Sequence, residues 1–270
     1  MTTVTQQPAR RFRVPFWASM GIWWGIWLAL LVLLFSGLSL TLGPLHLRTL
    51  SLDLEFIRTW WLFISRGVII TFEVAVISIV AATLLAFGSA LARLSRIAAL
   101  NSLSGLYISL MRGTPLFLQF LFVYFALPQL GLVLSPFVAA VVALSLNYGA
   151  YMSEIFRAGI QAVPFGQKEA ATALGMSPWQ TMYRIVLPQA FRIVIPDIGN
   201  QFIAMQKDTA LASAISLQEL TSQARQAGLP RQHFFEALVV AAVWYWLLTI
   251  VLSYFQARLE RRMAQSDRGI

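Results

Sequence analysis

The sequence predicts an all-α integral membrane protein with six transmembrane helices, and three features of its 270 residues carry that expectation. Hydrophobic residues make up 58% and charged residues 11%, against roughly 25% charged residues in an ordinary soluble chain. Mean hydropathy is +0.70. Several stretches reach the roughly 20 apolar residues needed to cross about 30 Å of hydrocarbon. A soluble globule of this length has too little interior to hide so much apolar surface.

Val14 to Leu45 is uncharged and forms span one. Trp17, Trp23, Trp24 and Trp27 crowd its early part, which suits an aromatic belt at one interface. Arg10, Arg11 and Arg13 resemble the basic flank of a cleaved leader, but the apolar run is too long and lacks a convincing small-residue cleavage site, so a retained helix is expected. Gly67 to Ala92 holds one charge, Glu73, and ends at Arg93 and Arg96: span two. Gly113 to Ser153 is uncharged, with Pro128, Gly131 and Pro136 marking a turn between spans three and four. Gly113 to Leu127 is short for a crossing, so span three also draws on Leu103 to Arg112, which brings Arg112 and Pro115 near or into the bilayer. Span five, Phe191 to Ile215, is unusually polar; span six, Ala237 to Ala257, is uncharged and ends at Arg258, Arg261 and Arg262.

An even number of crossings puts both termini on one side, and the distribution of Lys and Arg selects the cytoplasm. With the termini inside, Arg10, Arg11, Arg13, Arg93, Arg96, Arg157, Lys168, Arg184, Arg192, Arg258, Arg261, Arg262 and Arg268 are cytoplasmic. Only Arg48, Arg58, Arg66, Arg225 and Arg231 fall outside, while Arg112 and Lys207 lie within spans. Most of the net charge of +9 is therefore topology. No basic cluster is long or interleaved with aromatics in a polar setting, which argues against nucleic acid as a partner. The absence of cysteine excludes disulfides, thiolate metal sites and thiol catalysis, and His46 and His233 alone build no metal site. The chain divides into a cytoplasmic N-terminus, first helix and outer loop (1–62), a core (63–258) and a cytoplasmic tail (259–270).

Residues Gln161 to Pro188 form the longest inner loop, and its punctuation predicts two short helices. Pro164 suits a first-turn position, Gln167 to Leu174 is rich in helix formers, and Gly175 suits a left-handed closing residue. Ser177, Pro178 and Gln180 match an N-cap, a first-position proline and the third-position partner of a capping box; Pro188 is expected to stop the second helix. Gly166, Ala170 and Ala171 keep much of the first helix small, which lets another backbone approach. An interfacial helix resting on lipid needs a bulkier apolar face than Phe165 and Leu174 provide, so docking to a protein is the preferred reading.

The segments Glu169-Ala170-Ala171, Gly175 and Ile185-Val186-Leu187-Pro188 resemble the loop signature of permease subunits of bacterial ABC importers. Arg112-Gly113-Thr114-Pro115-Leu116, Glu154-Ile155-Phe156-Arg157, Leu187-Pro188-Gln189-Ala190, Asn200-Gln201-Phe202-Ile203 and Lys207-Asp208-Thr209 are similar to the polar amino-acid uptake branch (histidine/glutamine/arginine-type permeases). The resemblance runs from about Arg66 to Phe255. It implies an ABC importer type I permease-like core in spans 2–6, with span one as an extra N-terminal helix. It also implies a place in the bacterial inner membrane, a second permease subunit (identical or paralogous), a dimer of cytoplasmic ATP-binding subunits and an extracytoplasmic amino-acid-binding protein. Pro164, Gly166, Glu169, Ala170, Ala171, Gly175 and Pro188 would then couple loop 161–188 to the ATPase. The chain has no glycine-lysine dipeptide and so no phosphate loop of its own; ATP and Mg belong to the partner, and this chain is a transport subunit, not an enzyme, with no cofactor.

Charges in mid-membrane cost from about 2.5 kcal/mol upward and need a partner, a wet cavity or a task. Span five carries Asp197, Asn200, Gln201, Gln206, Lys207, Asp208 and Thr209, with Pro196 removing a backbone bond, so it is expected to line the solute path. Helical spacing groups Lys207 with Asn200 and Ile203, and Asp208 with Gln201 and Met205. Thr114-Pro115, read as N-cap and first position, makes a broken helix end of the kind that binds solutes without net charge. Glu73, Arg112, Thr114, Asn147, Asn200, Gln201, Lys207, Asp208 and Thr209 are the candidate pathway residues. Arg112, Lys207 and Asp208 either meet the ligand or form buried ion pairs that fix the helices. An ion-driven secondary carrier is the alternative, prompted by Glu73 and Asp208, although no internal repeat is evident. Nothing in the sequence supports a membrane enzyme.

Overall fold

The computed structural model describes residues 16–43 and 45–266; Arg10, Arg11, Arg13 and Arg268, counted above as cytoplasmic, lie outside them. The chain forms two compact units, Met1–Glu55 and Phe56–Ile270. In the first, α1 (Phe16–Leu34) is followed by a hairpin of β1 (Ser39–Leu42) and β2 (Leu45–Arg48), with Ser39 opposite Arg48 and Leu42 opposite Leu45. Span one, expected to continue to Leu45, thus ends as a helix at Leu34. Ser36 and Gly37 are weak helix formers, and from Ser39 to Arg48 polar and apolar residues alternate with the period of a strand. Apart from this hairpin and a Ser36–Ser51 bridge, the regular structure among the described residues is helical.

The second unit opens with α2 (Leu54–Ser65), which the sequence reading left as loop, and α3 (Gly67–Leu94). Arg66 between them is itself helical, so the two form one segment, Leu54–Leu94. Phe56 and Ile64 of α2 are buried against Leu220, Ala224, Ala227 and Ala237. Next come α4 (Ala98–Gly113) and α5 (Leu116–Leu121), the latter continued by a π turn (Phe122–Ala126) and a 3-10 turn (Leu127–Leu130). Span three is not a straight crossing: the axis bends by 108° at the break. Pro115 forces this, because it lacks an N–H and disfavours helical backbone before it; Thr114 is extended at φ −119°, ψ 144°.

The remaining helices are α6 (Pro136–Ala162), α7 (Phe165–Ala173), α8 (Pro178–Thr181), α9 (Leu187–Asp208), α10 (Leu220–Gly228) and α11 (Phe234–Ser266). Ser135 caps α6, its side chain accepting from Val138 N. Among the described residues, four helices are long and apolar enough to cross a membrane, and the bent pair makes a fifth. The polar α9 occupies the place of span five and falls outside that set.

Small residues hold the centre together. Val74, Ser78, Ala82, Ala86 and Ala90 bury a stripe of α3, one every fourth residue, while α6 buries Ala139, Ala140, Ala143, Ser145, Gly149 and Ala150. Without a hydrophobic force between helices in lipid, such faces gain by close van der Waals approach. Ser145 Oγ donates to Ser78 O at 3.3 Å, and Phe120, Leu144, Met152, Phe156 and Met205 complete the core. The outward residues Ile69, Ile77, Val80 and Leu84 of α3 are exposed, as a lipid-facing side requires.

Candidate functional site: a polar cleft at a broken helix

A cleft of about 510 Å³ lies where the α4–α5 break meets α6 and α9. Arg112, Thr114, Pro115 and Leu116 come from the break, Asn147, Tyr148 and Tyr151 from α6, and Gln201 and Asp208 from α9. Asn147, Tyr148 and Tyr151 share a sector of α6 through their one- and four-residue spacings, and Gln201 and Asp208 stand two turns apart on one face. Tyr148 donates its hydroxyl to Asp208 Oδ2 at 2.7 Å, joining α6 to the end of α9. The Arg112 guanidinium lies 5.2 Å from the centre of the Tyr151 ring. A cation and an anion thus line one polar-walled space, each with an aromatic neighbour.

Five of the nine candidate pathway residues converge here: Arg112, Thr114, Asn147, Gln201 and Asp208. The other four do not. Glu73 and Lys207 are exposed on the outside of the unit, Asn200 is exposed on α9, and Thr209 is buried with its hydroxyl donating to Gln206 O at 2.8 Å. Asn200 and Lys207 therefore separate from Gln201 and Asp208 as helical spacing groups them. No ion pair joins Arg112, Lys207 and Asp208 among the described residues; Asp208 is held by a hydroxyl instead. Asp197, counted among the polar residues of span five, lies well inside α9, because that helix begins at Leu187, and it is exposed.

The break departs from the expected cap. Pro115, not Thr114, occupies the N-cap of α5, and the Thr114 hydroxyl turns back to donate to Leu110 O at 2.8 Å. The position is stabilised by Gln119, which the sequence reading did not single out. Its buried Nε2 donates to Met111 O at 2.8 Å, Thr114 Oγ1 at 2.9 Å and Thr114 O at 3.1 Å. Asn147 Nδ2 in turn donates to Gln119 Oε1 at 3.0 Å and Met111 O at 3.2 Å. A lone amide one turn beyond a Thr-Pro break in an apolar run was the available signal for it.

Farther along α9, Pro196 leaves the helix unbroken, and Gln256 of α11 donates Nε2 to Pro196 O at 2.7 Å. Gly199 makes the approach possible, since a Cβ there would fall within the Gln256 carboxamide.

Residues 161–188 start the two helices expected, but the second runs on into α9. Pro164 is the N-cap of α7, one position earlier than anticipated; Gly166, Glu169 and Ala170 are exposed, and Ala171 is buried. Gly175 takes φ +74°, and Ser177 and Gln180 form the full capping box. Pro188 does not stop the second helix. A π turn, Met182–Val186, joins α8 to α9, and Pro188 sits in the first turn of α9, where the wider spacing spares its missing N–H and its ring. Phe165 and Leu174 are exposed, and so are the stacked rings of Trp179 and Tyr183, a pair not anticipated.

Outside the spans, Glu219 caps α10. Its carboxylate is fully buried and accepts from Ser222 N at 2.7 Å, Thr221 N at 2.8 Å and the Tyr245 hydroxyl at 2.7 Å. Burial pushes its pKa up to about 7, against the pull of these donors.

A multi-pass helical protein with a charged and amide-lined cleft at a broken helix has the build of a membrane transport subunit. Comparison with known proteins is specific. Residues 82–265 match the family profile described as binding-protein-dependent transport system inner membrane component, and the chain belongs to that family. It is 40% identical over 209 residues to the L-cystine transport system permease protein TcyB of Bacillus subtilis, covering 76% of this chain and 88% of that one. The arginine transport system permease protein ArtQ of Bacillus subtilis is 40% identical, covering 76% and 94%. The glutamine transport system permease protein GlnP of Escherichia coli is 41% identical, covering 60% and 75%. The crystal structure of an amino acid ABC transporter with histidines superposes with TM-score 0.74 at 35% identity, over 79% of this chain and all of that one. The MetNI methionine ABC transporter, at 16% identity and TM-score 0.65, shares the fold. The expected permease fold is that of this chain.

Proposed function

We propose that the chain is the permease subunit of an ATP-driven importer that moves a polar amino acid into the cytoplasm by alternating access. The observation that carries this is the cleft that places Arg112 and Asp208 on one space. An amino acid presents a carboxylate and an ammonium, and Arg112 and Asp208 supply a charge-assisted partner for each. The names of the relatives, which carry cystine, arginine and glutamine, support an amino-acid cargo.

In this reading loop 161–188 docks on a dimer of cytoplasmic ATP-binding subunits, which hold the ATP and Mg; this chain holds neither. Exposed Glu169, Ala170 and the left-handed closure at Gly175 support a docked helix. An extracytoplasmic amino-acid-binding protein delivers the solute, and both termini lie in the cytoplasm on the bias of Lys and Arg. A second permease subunit, identical or paralogous, covers the outer faces of α3 and α9, where Glu73 and Lys207 stand exposed within spans and without a charge partner among the described residues.

Reconstitution of the complex in vesicles tests this, with uptake of L-arginine, L-glutamine and L-cystine followed with and without ATP. ATP-dependent uptake of at least one is the expected result. Uptake driven by an ion gradient with no ATPase present would replace this reading with that of a secondary carrier.

A further inference from the structure

We infer that Gln119 is a positioning residue that sets the hydrogen-bonding polarity of the cleft: it turns Asn147 so that only an acceptor faces the solute, and it pins the break that carries Arg112. The argument begins with the end of α4. The last four carbonyls of a helix have no intrahelical donors, and in a membrane, where no water can serve them, each such orphan is destabilising. Here Leu110 O is served by the Thr114 hydroxyl and Met111 O by two side-chain amides, those of Gln119 and Asn147. Gln119 Nε2 also holds Thr114 through both its carbonyl and its hydroxyl. One buried amide thus ties α5 to both sides of the 108° bend.

The same amide orients Asn147. A primary amide has two N–H donors and one carbonyl acceptor, and its rotation exchanges them. Both Asn147 donors are occupied, one by Gln119 Oε1 and one by Met111 O. Asn147 lines the cleft with Oδ1 as the group left for it. Gln119 Oε1 can only accept, so an inverted Asn147 would set two carbonyls against each other. The α6–α9 wall therefore offers Asn147 Oδ1 and Asp208 as acceptors, with the Gln201 amide able to serve either way, and Arg112 at the break is the charged donor. That arrangement suits the ammonium of the solute against α6 and its carboxylate against the break. This orientation rests on the transport reading; the pinning of the break does not.

On the far side of the break an apolar cavity of about 280 Å³ is lined by Leu110, Phe122, Val123, Ala143 and Leu146 beside Gln119. Gln119→Met is accordingly the test variant, because a flexible thioether of similar length packs in such surroundings. The chain contains no cysteine, so Ala143→Cys, buried on the wall of that cavity, gives a single reporter behind the break. In the reconstituted complex, Gln119→Met is expected to raise the rate of Ala143→Cys modification by a water-soluble methanethiosulfonate about tenfold, through a more frequently open break. Gln119→Glu, which still accepts from Asn147 but even when protonated brings one donor to the three acceptors that the Gln119 amide serves, is expected to do the same. The two variants then part in transport of whichever of L-arginine, L-glutamine or L-cystine the unmodified complex takes up. KM rises about tenfold in Gln119→Met, where Asn147 keeps only its bond to Met111 O and is less firmly held, and by less than about threefold in Gln119→Glu, with the maximal rate less affected than KM in both. Unchanged labelling in both variants overturns the pinning, and equal KM in the two overturns the orienting role. If the unmodified complex transports none of the three, the cargo reading fails while the labelling result stands on its own.

Discussion

Tyr148 and Asp208 are 60 residues apart in sequence and meet through a 2.7 Å hydrogen bond from hydroxyl to carboxylate, inside the cleft that both line. A hydrogen bond to a charged group contributes about 1.5–3 kcal/mol, so this one contact both orients the carboxylate and ties α6 to α9. Tyr148→Phe should lower the thermal stability of the purified subunit by an amount of that order and leave Asp208 free to turn. Asp208→Asn keeps an acceptor for Tyr148 and should spare assembly while reducing uptake at least about tenfold. Size-exclusion chromatography and vesicle uptake, measured on the same preparations, separate the two effects; an Asp208→Asn complex that falls apart instead assigns Asp208 a structural task.

At Gly175 the backbone is left-handed, which costs a residue with a side chain roughly 1–2 kcal/mol, and the position is exposed at the end of α7. On the proposed docking surface, Gly175→Arg adds bulk and Glu169→Lys reverses the charge. Both should leave the subunit folded but separate ATP hydrolysis from uptake. Wild-type uptake and undiminished association with the ATPase in both variants would remove the docking claim.

The pH dependence of stability should carry the mark of Glu219. Its pKa is raised from 4.5 to about 7 by burial, so between those values the folded chain keeps a proton that the unfolded chain has released. Its contribution is full below about pH 4.5, declines as pH rises towards 7 and is level above; at about 1.4 kcal/mol per unit the whole span is about 3 kcal/mol. Thermal unfolding at pH 5 and pH 7.5 should therefore show a larger loss in the wild type than in Glu219→Gln. Parallel losses would mean that the carboxyl titrates alike in both states.

Gly199 lets the Gln256 carboxamide lie against α9 and reach Pro196 O, while Gln256 also donates to Glu260 at 2.9 Å. Gly199→Leu should destabilise the α9–α11 packing by about 1–3 kcal/mol. Combining it with Gln256→Ala should cost less than the sum of the two single changes, because the smaller side chain yields the space. Strict additivity in denaturation midpoints would show that the two positions do not share that space.

Much of this was legible beforehand. Helix lengths followed from runs nearly free of charge, as for Gly67 to Ala92 with its single Glu73, which forms α3, and the capping box at Ser177 and Gln180 was readable because its chemistry is local. The hairpin at Ser39–Arg48 was missed although its alternation is visible, because an absence of charge was read as helix. α2 was missed because it is amphipathic and buries its apolar side on α10 and α11, a long-range contact that its own residues do not announce. In the cleft, residue type sufficed for Arg112, Gln201 and Asp208, whereas the outward placement of Glu73 and Lys207 depends on helix rotation. Gln119 acts through carbonyls that exist only once α4 has ended, so only the folded geometry reveals its part.

Because Pro188 is absorbed by a π turn, the backbone from Pro178 to Asp208 is one uninterrupted stretch of helix. At about 1.5 Å per residue it is a strut of roughly 45 Å with one end in loop 161–188 and Gln201 and Asp208 towards the other. In the proposed coupling, a tilt imposed on the loop end would reach those two residues through continuous helix. Such a strut works like a push-rod, so its stiffness, more than any one side chain, would govern how much of a partner's stroke arrives at the cargo.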